Sequence, residues 1–247
     1  MIVRKNIMML VIFFLLTAIP CSAQKTLPSL EGMMEAKETI AIGSQTPGVV
    51  EKILVERGDY VKKGQLLVHL QAGVEKAEVE LKKARVEFLV RKVARSQELI
   101  REKMISPSET DELETELLLS KLDLRESEAL LKRKEIRSPI KGIVVSRTSS
   151  VGEYIGSDID ILSLAQIDPL YVEVVAPVIY FGSIHKGMKA EIRPEEPVQG
   201  TYMATVIIAD RIIDAGSGTF GIRLLLPNPD MLLPAGLKCQ VRFMPAK

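Results

Sequence analysis

Tryptophan is absent from this chain, and histidine and cysteine occur only twice each. So few imidazoles and thiols leave little from which to build a multi-ligand metal centre or a Cys–His catalytic pair. His69 and His185 fall in different expected domains, with no reason to meet. A long hydrophobic run is missing too: the one such stretch, Ile7 to Ile19, has 13 residues, against the roughly 20 a spanning helix needs. Charge of one sign is equally scarce, with 33 basic residues against 32 acidic ones, and no basic stripe offers a footprint for nucleic acid. No strand–helix–strand rhythm appears, which excludes a nucleotide-binding α/β sheet. Gly216-Ser217-Gly218-Thr219-Phe220-Gly221 matches a dinucleotide fingerprint as a string. A strand is expected after it where that fingerprint needs a helix, so it reads as a glycine-rich β-turn.

What is present begins with a leader. Arg4 and Lys5 precede the apolar run, and Pro20, Cys21, Ser22 and Ala23 follow it. That is the layout of a secretory signal peptide over residues 1–23, cleaved after Ala23. Pro20 stands where a lipidation signal wants a small residue, which disfavours a lipid anchor at Cys21. Cleavage leaves Cys239 alone, so an intramolecular disulfide is excluded despite an oxidising compartment.

A half-motif then returns after 94 residues: Gly48 with Gly142, Val49 with Ile143, Gly58 with Gly152, Asp59 with Glu153, Tyr60 with Tyr154, Val61 with Ile155. Glycines, an acid and a tyrosine keep register with apolar alternation, which chance does not supply. Each copy reads as short strands joined by glycine turns, Gly58-Asp59 being the clearest and Gly64 another. Neither copy can bury a core alone, so the two halves are expected to pair into one small β-module.

Between the copies, Val79, Val86, Val93 and Ile100 are spaced by sevens, as are Leu117, Leu124 and Leu131, with Leu122, Ala129 and Ile136 as a second series. Seven-residue repeats in a stretch rich in Glu, Lys, Arg and Leu predict coiled-coil helices. These are expected over Val74 to Met104 and Pro107 to Glu135. Ser106-Pro107-Ser108-Glu109 is a capping box with proline at the first helical position. Lys103 to Ile105 alone then form the loop, so the helices are antiparallel neighbours. After Gln166 five short strands are expected, near Leu170–Ala176, Lys189–Arg193, Tyr202–Ala209, Thr219–Leu226 and Leu237–Phe243, suggesting a small closed β-barrel.

Thr46-Pro47-Gly48-Val49-Val50, Gly58 to Leu67, Ile136 to Gly142, Val151 to Ile155, Leu225 to Pro229 and Leu233 to Gly236 together resemble the membrane fusion protein family, the periplasmic adaptors of tripartite efflux pumps (haemolysin-D-like). The resemblance covers most of the mature chain. It implies a mainly β fold with a long α-helical hairpin: a split lipoyl-like (barrel-sandwich hybrid) domain, a coiled-coil hairpin and a small β-barrel. The expected organisation is a linker over 24–38, first lipoyl-like half over 39–72, hairpin over 73–135, second half over 136–166 and barrel over 167–247. Gly48, Gly58, Asp59, Gly64, Gly142 and Gly152 would shape the turns of the two halves. In the second half, Asp158 occupies the position matching Gly64. Adaptors meeting a TolC-like channel carry an arginine, a leucine four residues on and a serine seven further, and Arg95, Leu99 and Ser106 match those spacings. The family's leucine directly after the arginine is Ser96 here.

The resemblance implies a non-catalytic subunit without a cofactor, in the periplasm of a Gram-negative bacterium, oligomerising into a ring. It would link an inner-membrane transporter of RND type to a TolC-like outer-membrane channel for export of small molecules. Three alternatives stay open: an adaptor for an ABC-type exporter or secretion system, a metal-efflux adaptor with a soft site at Met33 and Met34, and a lipoyl or biotinyl carrier. The carrier needs a modifiable lysine where this chain has Leu70-Gln71-Ala72-Gly73.

Overall fold

The computed structural model describes residues 29–101, 106–157 and 159–244. The expected signal peptide, Cys21, the loop residues Lys103 to Ile105 and Asp158 lie outside these.

Among the described residues, twelve strands and two long helices follow in chain order: β1 (Ser29–Gly43), β2 (Gly48–Ile53), β3 (Tyr60–Val61), β4 (Leu66–Leu70), α1 (Gly73–Arg101), α2 (Pro107–Lys132), β5 (Glu135–Arg137), β6 (Gly142–Arg147), β7 (Tyr154–Ile155), β8 (Asp160–Pro177), β9 (Lys189–Pro194), β10 (Tyr202–Ala209), β11 (Thr219–Leu226) and β12 (Lys238–Phe243). The order β1-β12-β9-β10-β11-β8 is closed by a direct β1–β8 pairing, which makes a six-stranded antiparallel barrel. Closure leaves no edge to pair with another chain. Alternate residues of β8, β11 and β12 point inward and are buried, so Leu170, Val172, Ile222, Leu224, Cys239 and Val241 share one core.

β1 and β8 run on past the barrel as a pair, β6 pairs with β8 and β3 with β6, and this layer faces a second sheet of order β5-β4-β2-β7. Val50, Leu67, Leu70, Val144, Ile155 and Leu164 form the core there. The 94-residue repeat is visible as a pseudo-twofold exchange of bonds. Gly58 N donates to Val144 O while Gly152 N donates to Val50 O, each at 2.9 Å. Gly48↔Ile155 in β2–β7 is mirrored by Val61↔Gly142 in β3–β6. The carboxylate of Asp59 accepts from Glu56 N and that of Glu153 from Ser150 N, both at 2.8 Å. Each half thus completes the other's sheet, which is why neither copy carries a core of its own.

Three expected boundaries are corrected. Residues 29–38 are no linker: from Ser29 they are the first part of β1, paired with both β12 and β8. The division at 166/167 falls inside β8, a single strand shared by the two cores. Its neighbour β1 marks the passage only by a register shift between Ala36 and Glu38. Glu135 is not the end of a helix. It opens β5 opposite His69, because the module needs a strand beside β4 to cover Val68 and Leu70.

Candidate functional site

The hairpin is anchored by adjacent strand ends. β4 leads into α1 and α2 leads into β5, and these strands pair Leu66↔Arg137 and His69↔Glu135. Two helices leaving neighbouring strands in opposite chain directions are bound to be antiparallel neighbours. Lys134 locks the base: its Nζ lies 2.9 Å from Glu75 Oε1 and donates to the carbonyl of Pro47 at 3.1 Å. The hydrogen bond from Lys134 is the main cause holding the Glu75 carboxyl below its ordinary value.

Val79, Val86, Val93 and Ile100 do form one row of the helix seam, and Leu117, Leu124 and Leu131 lie in the facing row. The second series is corrected. Leu122 and Ala129 are exposed and Ile136 belongs to β5. The rows that sequence reading missed pass through Leu89 and Ser96 on α1 and through Ser120 and Ser127 on α2, while Thr110 extends the Leu117 row, all of them buried. Their signal was a seven-residue spacing carried by small polar residues, which hydropathy does not register. Ser96 meets its own need by donating from Oγ to Val93 O at 2.8 Å. On one flank Arg85 pairs with Glu116 at 3.5 Å; on the other Gln97 donates to Glu114 at 3.0 Å.

Arg95 and Leu99 stand one turn apart on the solvent side of α1, Arg95 exposed and Leu99 37% exposed. They line a groove of about 600 Å³ with Lys92, facing Glu109, Glu112 and Glu116 of α2. Ser106 is exposed and caps α2. Its Oγ accepts from Glu109 N at 3.3 Å, and the Glu109 carboxylate accepts from Ser106 N at 3.2 Å. The arrangement presents a cation, an apolar knob and a helix cap beside carboxylates, suited to packing against another helical surface.

The turn glycines sit where backbone demands them. Gly58, Gly64 and Gly152 hold φ of 95°, 82° and 87°, a region costly for residues with a Cβ. Gly142 serves another need: an added Cβ would strike the backbone carbonyl of Ala165. Gly48 lies against Leu70 and Lys134. A further repeat pair escaped the sequence reading, Ser44 and Ser138. Both are buried, and each donates its hydroxyl to a carbonyl two residues on, Thr46 and Ile140. Their offset is again 94 residues.

Met33 and Met34 do not converge. Successive residues of β1 point to opposite faces; Met34 is fully buried in the barrel core and Met33 is 40% exposed. Gly216 to Gly221 is a turn and the start of β11, as expected. Asp214 Oδ1 accepts from Gly216 N and Ser217 N, each at 2.8 Å. No group of three or more His, Cys, Asp or Glu side chains is placed to hold a metal ion among the described residues. At the barrel end where β1 begins and β12 finishes, Val178, Ile179, Phe181, Ile208, Ile212 and Ile213 are exposed. The segment carrying the first three is tied to the β10–β11 hairpin by Val178 N donating to Gly218 O at 2.9 Å and by Phe181 packing edge-on to Phe220 at 5.4 Å.

A barrel-sandwich module split by paired helices and joined to a closed barrel defines the class, and comparison with known proteins agrees. The CzcB-like barrel-sandwich hybrid domain family matches residues 38–166, over half of the chain. The chain belongs to that family. It is 22% identical over 229 residues to the antibiotic efflux pump periplasmic linker protein ArpA of Pseudomonas putida, covering 87% of this chain and 62% of that one. It is 25% identical over 245 residues to the macrolide export protein MacA of Yersinia pestis, covering 85% and 66%. The chain thus spans less than two thirds of the length of these relatives. A solved MacA–MexA chimera containing the Pseudomonas aeruginosa MexA α-hairpin domain superposes with a TM-score of 0.73 at 20% identity, over 89% of this chain and 79% of that one. That likeness is one of fold.

Proposed function

We propose that this chain is the periplasmic adaptor subunit of a tripartite efflux system in a Gram-negative envelope, reached through its N-terminal signal peptide. It carries out no chemistry and holds no cofactor; the inner-membrane transporter, of RND type, supplies the energy. The hairpin reaches toward a TolC-like outer-membrane channel, which Arg95, Leu99 and Ser106 engage. The barrel end bearing Ile179, Phe181 and Ile212 faces the transporter, and copies of the chain assemble into a ring. The carrying observation is the hairpin itself: two helices of 29 and 26 residues, roughly 40 Å long, locked at their base to the module and presenting Arg95 and Leu99 to solvent near the far end. Relatives named as an efflux-pump periplasmic linker and a macrolide export protein support the same reading.

The test is substitution at the tip. Arg95→Asp and Leu99→Asp are expected to abolish crosslinking to the outer-membrane channel and the drug tolerance that export confers. The far-ultraviolet spectrum should be unchanged, since neither side chain is buried. Survival of both crosslinking and tolerance removes the tip assignment.

A further inference from the structure

Ala129 and Ile136, two members of the heptad series that the helix seam leaves out, meet again in one place. Both line a cleft of about 510 Å³ between the last turn of α2, the end of β1 and β5. Its apolar wall includes Ile42 and Ile136, which are 94 residues apart and so equivalent in the two halves of the module. They are 8% and 7% exposed and belong to the module core, so the cleft opens directly onto apolar side chains. Pro139 extends that wall.

Charge sits at the edge. Ala129, Lys132 and Arg133 share one face of α2 at spacings of three and four residues, which brings two exposed cations to the cleft. Neither cation has an ion-pair partner among the described residues. Glu135 is the one carboxylate of the lining, and Arg137 already holds it at 2.8 Å while donating to the Gly64 carbonyl at 3.0 Å. The C-terminal pole of a helix carries roughly half a negative charge, which is less than the two positive charges left over. Glu128, one turn before Lys132, and Asp160, opposite Gly43, stand near the edge without lining the cleft.

We infer that this cleft binds a drug-sized amphiphilic anion: an apolar ring-bearing body lies against Ile42 and Ile136, and one carboxylate, sulfonate or phosphate lies between Lys132 and Arg133. The volume suits that class, since ligand pockets run from roughly 300 to 1,000 Å³ and join an apolar lining to a few placed polar groups. An inorganic anion would leave the apolar wall unused, and an uncharged molecule would leave the cations unused. A bound molecule touches α2 and β1 together, so occupancy braces the root of the hairpin. The site stands on the cleft alone and does not depend on the adaptor reading above.

The experiment titrates the full chain with anilinonaphthalene sulfonate, an apolar ring system bearing one sulfonate, and with phenylnaphthylamine, the same rings without it. Both fluoresce on entering an apolar site. The sulfonate is expected to bind saturably and to slow amide exchange over residues 129–137. The uncharged probe should bind about tenfold more weakly, the usual size for a lost charged hydrogen bond. Lys132→Gln combined with Arg133→Gln should weaken the sulfonate by the same factor and leave the uncharged probe unchanged. Ala129→Phe, at an exposed helix position, fills the cleft and should abolish binding of both with the helical spectrum retained. Lys121→Gln combined with Arg125→Gln, cations of the same helix outside the cleft, should change nothing. Equal affinity for the two probes, or sulfonate binding untouched by the Lys132 and Arg133 changes, would overturn the anionic class. No saturable binding, binding untouched by Ala129→Phe, or slowed exchange only elsewhere would overturn the site itself. Channel association and drug tolerance enter none of these readouts, so tip docking is judged separately.

Discussion

Lys134, two residues past the end of α2, and Glu75, in the first turn of α1, form an ion pair of 2.9 Å that closes the open end of the hairpin onto the module. Both side chains are largely shielded, 12% and 26% exposed. Lys134 also holds the Pro47 carbonyl at the entrance to β2, so one ammonium joins both helices and the first half-motif.

Lys134→Met is expected to lower stability by about 2 kcal/mol at neutral pH, within the usual range for a hydrogen bond to a charged group. The Glu75 carboxyl lies below its ordinary 4.5, chiefly through the Lys134 bond. Its contribution is therefore fully present above that value and is lost as pH falls through the lowered one. The gap between the two proteins should narrow in acid. It should not vanish, because the bond to Pro47 carries no carboxylate. Urea titrations at neutral pH and at pH 3 check this; a constant gap would remove Glu75 from the account.

Gly142→Ala should destabilise by about 3 kcal/mol, the upper range for forced overpacking, because the added methyl meets the Ala165 carbonyl of a neighbouring strand, which cannot swing away. Gly73→Ala at the start of α1 meets nothing within 4 Å and is expected to be neutral or slightly stabilising. Thermal melts of the pair distinguish close approach of backbones from simple turn geometry.

Ser106→Ala should cost about 1 kcal/mol by removing the cap of α2, read as faster hydrogen exchange over residues 108–113. Ser106→Asp keeps an acceptor at the cap, so exchange should return to the wild-type level. Channel association should stay impaired in both variants if the hydroxyl is itself read by the partner. Recovery with Ser106→Asp would assign Ser106 to capping alone.

The repeat at 94 residues was legible because paired glycines fall where backbone geometry admits little else, and Ser106 because capping chemistry is local. Ser96, Ser120 and Ser127 were not legible as seam residues: a small polar side chain beside a facing helix is buried by that helix, not by its own hydropathy. The same cause hid an exposed row, Val74, Leu81 and Phe88. Apolar residues at sevens look alike in sequence whichever flank they occupy. Residues 29–38 were misread because β1 alternates weakly, its partners β12 and β8 lying more than a hundred residues away.

From residue order alone follow the two half-modules, the helical pair between them, its cap and the strand-rich remainder, since each rests on local spacing or on backbone preferences of single residues. Tertiary contact decided the rest. It closed the barrel through β1 on β8, carried β8 through both cores, placed Met34 in the barrel core, and chose which heptad row faces inward. Those are choices between surfaces of equal period, made by whichever partner buries more apolar area, and period alone does not name the partner.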